Sequence, residues 1–332
     1  MRALVAALVM VLALPGCQLA QKLTHPSSLS LADLEQGART VGDASQCAAL
    51  GDARVAAPEE YALGGAVATR WVQRGGGLFL GQGQGKAAAR VNDVSLYLNR
   101  VGKNLAAQSS RPALEWTFGV LESPAVNAVS SPGGYVLVTR GLLDQVQSEA
   151  QLAGVLAHEI AHVTGRHALR VYASVKRNQC AVALGAREGA ANLPPALREG
   201  TDAFRAALGA PGGFLDLDHS VGLLTHLTDK VVEELTTGGF AHADEFEADQ
   251  TALALVINAG YSPTEFITLL GALPGGEQGY ANHPANAERQ ARLRSWLAQQ
   301  KARPGEFQEV DADWAALPRV PFKGQLDAAR LK

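Results

Sequence analysis

Residues 148–165 have the sequence SEAQLAGVLAHEIAHVTG, which has the pattern of an amphipathic helix. Ser148, followed three residues later by Gln151, forms a capping box that predicts where the helix begins. Helical spacing gives the segment an apolar stripe, which consists of Leu152, Val155, Leu156, Ile160 and Val163. We therefore expect this helix to pack its apolar face into the core of a globular domain.

The same helix carries the motif HEIAH at residues 158–162. Histidines four residues apart project from one face of a helix, so both imidazoles can reach a single Zn²⁺. Glu159 lies about 100° around the helix from His158, where it can approach a water at the metal without binding the ion. The motif therefore predicts one Zn²⁺ per chain, bound by His158 and His162, with Glu159 as the general base.

A catalytic zinc takes three protein ligands, so the third must come from another part of the chain. The candidate segment is DEFEAD, residues 244–249, where Asp244 and Glu247 have capping-box spacing at the start of a second helix. Glu245 and Asp249 share one face of that helix. Glu245 can then bind zinc while Asp249 accepts a hydrogen bond from a ligand imidazole. The spacing alone leaves Glu247 as the alternative ligand.

The composition argues against a nucleic-acid-binding protein. The chain has 332 residues, with 29 Lys and Arg against 32 Asp and Glu and a formal net charge of −3. This balance offers no basic excess to neutralise phosphates. Aromatic residues make up 6% of the chain, which is too sparse for platforms that stack single-stranded bases.

Residues 1–16 have the pattern of a secretory signal, in which Arg2 precedes a run of apolar residues. The run is shorter than the roughly 20 residues that a membrane span needs. LPGC at residues 14–17 resembles the bacterial lipobox, which predicts cleavage before Cys17 and lipid attachment to it. Gln18 is similar to the outer-membrane sorting pattern of Gram-negative lipoproteins. We therefore expect a periplasmic protein that is anchored to the outer membrane by lipid.

Two cysteines remain, Cys47 and Cys180. In an oxidising periplasm they can form a disulfide, but the sequence leaves open whether they lie close enough.

The rest of the chain predicts an α+β fold that is mainly helical, with a small antiparallel sheet beside the HEIAH helix. Pro58 with two acidic residues after it predicts the start of a helix over 58–73, and apolar spacing predicts another over 91–107. Strands are predicted at 114–121, 126–129 and 135–139, the last two joined by the turn sequence SPGG as a hairpin.

These motifs together resemble zinc metallopeptidase family 48, the family of the CAAX prenyl protease and HtpX. The resemblance covers roughly residues 58–300. Its motifs come in the family's order and are Asn127-Ala128, PGGY at 132–135, HEIAH, GRH at 165–167, EFEAD at 245–249, His283-Pro284 and Arg289. No other apolar stretch is long enough to span a membrane, so the chain resembles the periplasmic BepA- and LoiP-like branch. The resemblance implies a gluzincin-type fold in which His158, His162 and Glu245 bind zinc.

The resemblance also implies roles for residues outside the ligand set. An extended substrate would add to the strand that contains Asn127 and Ala128. His283 would either occupy the fourth zinc position or stabilise the oxyanion, unless it only begins a helix at Pro284. Arg289 would pair with a site carboxylate or contact substrate. His167 is interpreted as a structural residue, because its spacing differs from that of a third histidine ligand.

The expected organisation follows from these assignments. It comprises a lipoprotein signal peptide (1–16), a tether (17–57), a zinc metallopeptidase domain (58–300) and a C-terminal extension (301–332), with residues 177–239 as helical cover. The expected function is that of a zinc-dependent metalloendopeptidase acting on unfolded or misassembled envelope proteins. Two alternatives stay open, a non-proteolytic chaperone or scaffold for outer-membrane protein assembly and a peptidoglycan-peptide hydrolase.

Overall fold

The computed structural model describes residues 47, 55–80, 86–185, 217–273 and 286–302. The chain divides into two compact units, of which the larger takes in Ala56–Val171 and Thr228–Lys332, and the smaller Met1–Val55 and Tyr172–Leu227. None of the helices in these described ranges combines the length and the apolar character that a membrane crossing requires.

The elements follow one another along the chain as helices around a short run of strands. In order they are α1 (Ala57–Arg74), α2 (Lys86–Ala107), β1 (Thr117–Leu121), β2 (Ala128–Ser131), β3 (Tyr135–Thr139), α3 (Arg140–Leu143), α4 (Glu149–Thr164), α5 (His167–Gly185), α6 (Leu217–Thr237), α7 (His242–Asn258), α8 (Pro263–Ala272) and α9 (Asn286–Ala302). The predicted mainly helical α+β fold is confirmed. The helix predicted at 91–107 begins earlier, at Lys86.

The sheet has three strands in the order β1-β3-β2, and it is mixed rather than antiparallel. The predicted hairpin is confirmed, since β2 pairs antiparallel with β3 and Ala128 lies opposite Val138. The antiparallel prediction is wrong for β1, which pairs parallel with β3 and has Thr117 opposite Tyr135. The connection over 122–127 carries the chain across to the far side of β3, so β1 does not neighbour the strand that follows it.

Helix α4 lies at the centre of the larger unit and packs against α7, α8, α2 and β2. The sequence predicted one buried face, but every residue from Ala150 to Val163 is buried. Small side chains on the other faces let neighbouring helices approach closely. A Cβ on Gly154 would lie 2.4 Å from Cβ of Phe266 in α8, so only glycine fits there. The helix that carries HEIAH is therefore held on all sides.

Helix α7 begins earlier than the predicted capping box. Its N-cap is Ala241, which provides no side-chain cap. The backbone N–H of Glu245 already donates to the carbonyl of Ala241 over 3.0 Å, which closes the first helical turn. Asp244 therefore lies inside this turn, where it accepts from Arg170 Nη2 at 2.6 Å. The prediction of Asp244 and Glu247 as a capping pair is wrong, although their placement in the first turns is confirmed.

Within the smaller unit, Cys47 and Cys180 form a disulfide with their Cα atoms 5.5 Å apart. This separation lies in the usual range for a disulfide. The possibility that the sequence left open is thus realised. The sequence predicts helical cover for residues 177–239, of which 186–216 lie outside the described residues. Residues 177–185 form the end of α5 and 217–237 form α6, while 238 and 239 follow that helix.

Candidate active site

The start of α4 is fixed by side-chain hydrogen bonds. The backbone N–H of Gln151 donates to Ser148 Oγ over 3.2 Å, as expected for an N-cap serine. The Ser148 hydroxyl and the Gln151 amide in turn donate to Glu265 Oε2, at 3.0 and 3.2 Å. All three side chains are buried. These bonds tie the first turn of α4 to α8 and fix the helix on which HEIAH lies.

Three side chains from α4 and α7 converge on one buried point. Nε2 of His158 lies 3.1 Å from Nε2 of His162. The Glu245 carboxylate lies 3.6 Å from each imidazole, Oε2 facing His158 and Oε1 facing His162. His158 and Glu245 are fully buried, and His162 is nearly so.

These spacings suit a zinc ion. Nitrogen ligands about 2.0–2.1 Å from a tetrahedral Zn²⁺ lie about 3.3 Å from one another. The three candidate ligand atoms fall within 4.8 Å of one another, so one ion can contact all of them with small side-chain adjustments. Two imidazoles and one carboxylate are also the ligand types of catalytic zinc sites that keep a further position open. The residues that the sequence singled out can thus hold a metal.

Asp249 lies behind His158, one turn after Glu245 on α7. Its Oδ1 is 3.0 Å from Nδ1 of His158, the ring nitrogen that points away from Glu245. Arg289, from α9, donates to both oxygens of Asp249, with Nε at 2.9 Å from Oδ2 and Nη2 at 2.6 Å from Oδ1. Arg289 is fully buried. Arg289 therefore holds the carboxylate that contacts His158.

Burial and the neighbouring charges shift the pKa values of Asp249 and His158. Burial alone would raise the pKa of Asp249, but the Arg289 guanidinium and the His158 hydrogen bond lower it to about 2. Burial and Arg289 would lower the pKa of His158, yet the carboxylates of Asp249 and Glu245 raise it to about 9. Asp249 is therefore ionised at neutral pH. A metal that binds His158 must displace a proton.

Glu159 is buried beside its two histidine neighbours on α4 and has 2% of its surface exposed. Its Oε1 has no hydrogen-bond partner among the described residues. A buried carboxylate oxygen without a partner carries a desolvation penalty, so it is an exception that function can explain. The structure therefore leaves this oxygen available to a substrate or a water.

His162 also contacts two other rings, those of His167 and Phe240. Its Nδ1 lies 2.7 Å from Nδ1 of His167, the first residue of α5. The Phe240 ring stacks on His162, with centroids 4.2 Å apart and planes 19° apart. Burial and the Arg170 guanidinium lower the pKa of His167. The sequence predicts a structural role for His167 and none for Phe240. The one signal for the His167 contact was Gly165, whose absent Cβ makes room for the His167 ring.

Strand β2 borders the site. Ser130 and Ser131 of β2 line a small cavity together with His162 and Phe240. The backbone of Asn127 pairs inward, with its N–H donating to Thr139 Oγ1 and its carbonyl accepting from the Thr139 N–H, each over 3.0 Å. The outward N–H of Ala128 donates to the side chain of Asn127 at 2.9 Å.

Two predicted functional residues, Cys17 and His283, lie outside the described residues. Their roles remain predictions.

Comparison with known proteins identifies relatives. The model of Peptidase family M48 matches residues 93–297, a stretch that includes HEIAH, Glu245 and Arg289. The chain is 29% identical over 211 residues to "Mitochondrial metalloendopeptidase OMA1" of Schizosaccharomyces pombe, covering 61% of this chain and 53% of the relative.

Two Escherichia coli K12 proteins are also similar. One is "Metalloprotease LoiP", 27% identical over 60% of this chain and 68% of the relative. The other is "Beta-barrel assembly-enhancing protease", 33% identical over 28% of this chain and 19% of the relative. The chain thus matches about half the length of the yeast relative and under a fifth of the assembly-enhancing protease. Since the family match spans most of the chain and includes the whole described site, the chain belongs to the metal-dependent peptidase family M48.

Proposed function

We propose that this chain is a zinc metalloendopeptidase of the bacterial envelope that hydrolyses peptide bonds in unfolded or misassembled envelope proteins. One observation carries the proposal. Nε2 of His158, Nε2 of His162 and the Glu245 carboxylate converge within 4.8 Å in a buried site. Glu159, the residue that would handle protons, lies next to His158 on the same helix.

Each residue of the site has a separate role in peptide hydrolysis. When bound, zinc supplies Lewis acidity for the scissile carbonyl and for the attacking water. His158, His162 and Glu245 hold the ion, and Asp249 orients His158 through its Nδ1–H. Glu159 takes the proton of the attacking water on a carboxylate oxygen and later delivers it to the leaving amine. The burial of Glu159 strengthens its interaction with any charge that develops beside it.

Arg289 supports the site through another residue. It donates two hydrogen bonds to Asp249 from a fully buried position on α9. Charge-assisted hydrogen bonds of this bidentate kind fix the orientation of a carboxylate. We assign Arg289 to holding Asp249, rather than to contact with substrate.

The substrate would lie extended along β2, which is an edge strand of the described sheet. Ala128 presents its outward N–H there, and the Asn127 side chain holds it in the free structure. A substrate carbonyl can replace that side chain in a strand-addition contact. Such binding depends on backbone more than on side chains, which suits unfolded proteins of varied sequence. The name of the Escherichia coli relative, which refers to β-barrel assembly, supports envelope proteins as the substrate class.

The direct test is cleavage of casein, an unfolded protein, by the purified chain with its zinc content measured. We expect about one zinc per chain and cleavage that stops when a chelator removes the metal. Cleavage should return when stoichiometric zinc is added back. A zinc-loaded protein that prevents aggregation of unfolded outer-membrane proteins and cleaves none of them would favour the chaperone alternative. Selective release of peptides from peptidoglycan, with casein left intact, would favour the peptidoglycan hydrolase.

We place the protein in the periplasm, anchored to the outer membrane through lipid on Cys17. The Cys47–Cys180 disulfide supports an oxidising compartment, because such bonds persist there and are rare in the cytosol. Replacing Cys17 with Ser should abolish incorporation of labelled fatty acid into the protein, because Cys17 is the residue that would carry the lipid. A Cys47→Ser variant, which leaves the lipidation signal intact, is the control and should still incorporate the label. Incorporation that survives Cys17→Ser would contradict the lipid anchor.

A further inference from the structure

His167 is a buried histidine to which the proposed chemistry gives no role. It begins α5, has none of its surface exposed, and its Nδ1 lies 2.7 Å from Nδ1 of His162. That distance is a hydrogen bond between two imidazoles. Because His162 is one of the three proposed zinc ligands, this hydrogen bond connects His167 to the metal site through Nδ1 of His162, the ring nitrogen that does not face the other ligands.

The bond has only one direction that is compatible with zinc binding. Nε2 of His162 faces Glu245 and His158, so its lone pair must be free for the ion. A neutral imidazole then carries its proton on the other nitrogen, which makes Nδ1 of His162 the donor. Nδ1 of His167 must therefore accept, and His167 carries its own proton on Nε2.

The backbone around His167 is shaped to bring the two rings together. α4 ends at Thr164, and Arg166 adopts a left-handed conformation with φ of 58°, unusual for a residue other than glycine. At Gly165 a Cβ would lie 2.4 Å from Nε2 of His167, so the absence of a side chain there is what admits the ring. The uncommon backbone conformation of Arg166 and the need for glycine at 165 both serve the contact between His162 and His167. Local strain of this kind is typical of functional sites, which favours a function for the contact.

We propose that His167 is a positioning residue for the zinc site: by accepting the Nδ1 proton of His162, it fixes that ligand's tautomer and ring orientation. This inference rests on the proposed zinc peptidase function. In the same structure Asp249 acts on His158 in the equivalent way, through Nδ1. Each of the two imidazole ligands thus has its own acceptor, a carboxylate for one and a neutral imidazole for the other.

The surroundings of His167 argue against a second metal there. Nε2 of His167 lies 3.7 Å from Glu247 Oε2, and Asp244 is close enough for the three to form a potential ligand group. However, Arg170 already donates to Asp244 at 2.6 Å and lies 3.7 Å from Glu247. Its guanidinium provides the positive charge that these carboxylates would otherwise take from an ion.

The test is a matched pair of variants, His167→Asn and His167→Leu. Asparagine can place a side-chain oxygen where Nδ1 of histidine lies, whereas leucine has a similar size and no acceptor. We expect the zinc dissociation constant of His167→Leu to rise about 10–100-fold. His167→Asn should bind zinc at least about fivefold more tightly than the leucine variant. His242→Leu, at the exposed start of α7, is the control and should bind zinc as the unchanged protein does.

A spectroscopic measurement separates positioning from general support of the fold. Nuclear magnetic resonance of the zinc-loaded protein should show a slowly exchanging Nδ1 proton on His162, assigned by its absence from His162→Gln. That proton signal should persist in His167→Asn and disappear in His167→Leu, while the melting temperatures of the two metal-free variants agree.

The outcomes distinguish this inference from the proposed function. If the unchanged protein binds no zinc, or if His162→Gln does not weaken its binding, the proposed function itself fails. If zinc binds through His162 but the asparagine and leucine variants bind it equally, only the role of His167 is refuted. A second zinc per chain that is lost in His167→Leu would also overturn it, in favour of a metal site at His167, Asp244 and Glu247.

Discussion

Replacing Glu159 with Gln is expected to lower kcat for casein cleavage about 10²–10⁴-fold while the zinc content stays at one per chain. The amide has nearly the same shape as the carboxylate, so the packing of α4 is unchanged. It has no basic oxygen, however, and cannot take a proton from water. Since Glu159 is not one of the three converging side chains, its replacement should not release the metal.

The control for this variant is Glu233→Gln on α6, where the side chain is 58% exposed and pairs with Lys230. It removes the same charge from an exposed side chain that is not part of the converging group, and it should cleave casein normally. Cleavage by Glu159→Gln within about tenfold of the unchanged protein would reject Glu159 as the general base. If Glu159→Gln lost its zinc, the assignment of the ligands would need revision instead.

Replacing Glu245 with Gln is expected to weaken zinc binding by more than the 10–100-fold typical of residues that only orient ligands, and to remove cleavage with it. Glutamine keeps the size of the side chain and loses the negative charge that attracts the ion. The position is fully buried, so no solvent ion can compensate for the lost charge. Metal content by mass spectrometry and cleavage at saturating zinc measure the two effects.

The matched control is Glu247→Gln, two residues along the same helix. The Glu247 side chain is 57% exposed and lies outside the converging group, so the variant should keep its zinc and its activity. The two variants show whether Glu245 or Glu247 binds zinc, which sequence spacing alone left open. Zinc lost from Glu247→Gln and retained by Glu245→Gln would reverse the assignment.

The parts of the site that depend on local spacing could be predicted from the sequence. His158 and His162 share a face because they are four residues apart on a helix, whatever surrounds it. The same spacing places Asp249 one turn from Glu245, and the structure brings that carboxylate to Nδ1 of His158. Helical geometry is set by neighbours in the chain, so the two spacings within α4 and within α7 needed no knowledge of the tertiary fold, whereas the contact between the two helices did.

Three features could not be predicted in this way, because no residue pattern in the sequence marks them. The parallel pairing of β1 with β3 depends on where the connection over 122–127 crosses the sheet. The start of α7 at His242 has no capping side chain to mark it. The contact between His162 and His167 depends on the left-handed turn at Arg166, which residue type does not reveal.

The central claim is that His158, His162 and Glu245 bind zinc together. Anomalous diffraction at the zinc absorption edge, from crystals of the purified full chain, measures this directly. We predict one strong peak about 2.0–2.2 Å from Nε2 of both histidines and from a Glu245 oxygen. A fully zinc-loaded crystal whose peak lies away from these three atoms, for example beside His167 and Glu247, would contradict it.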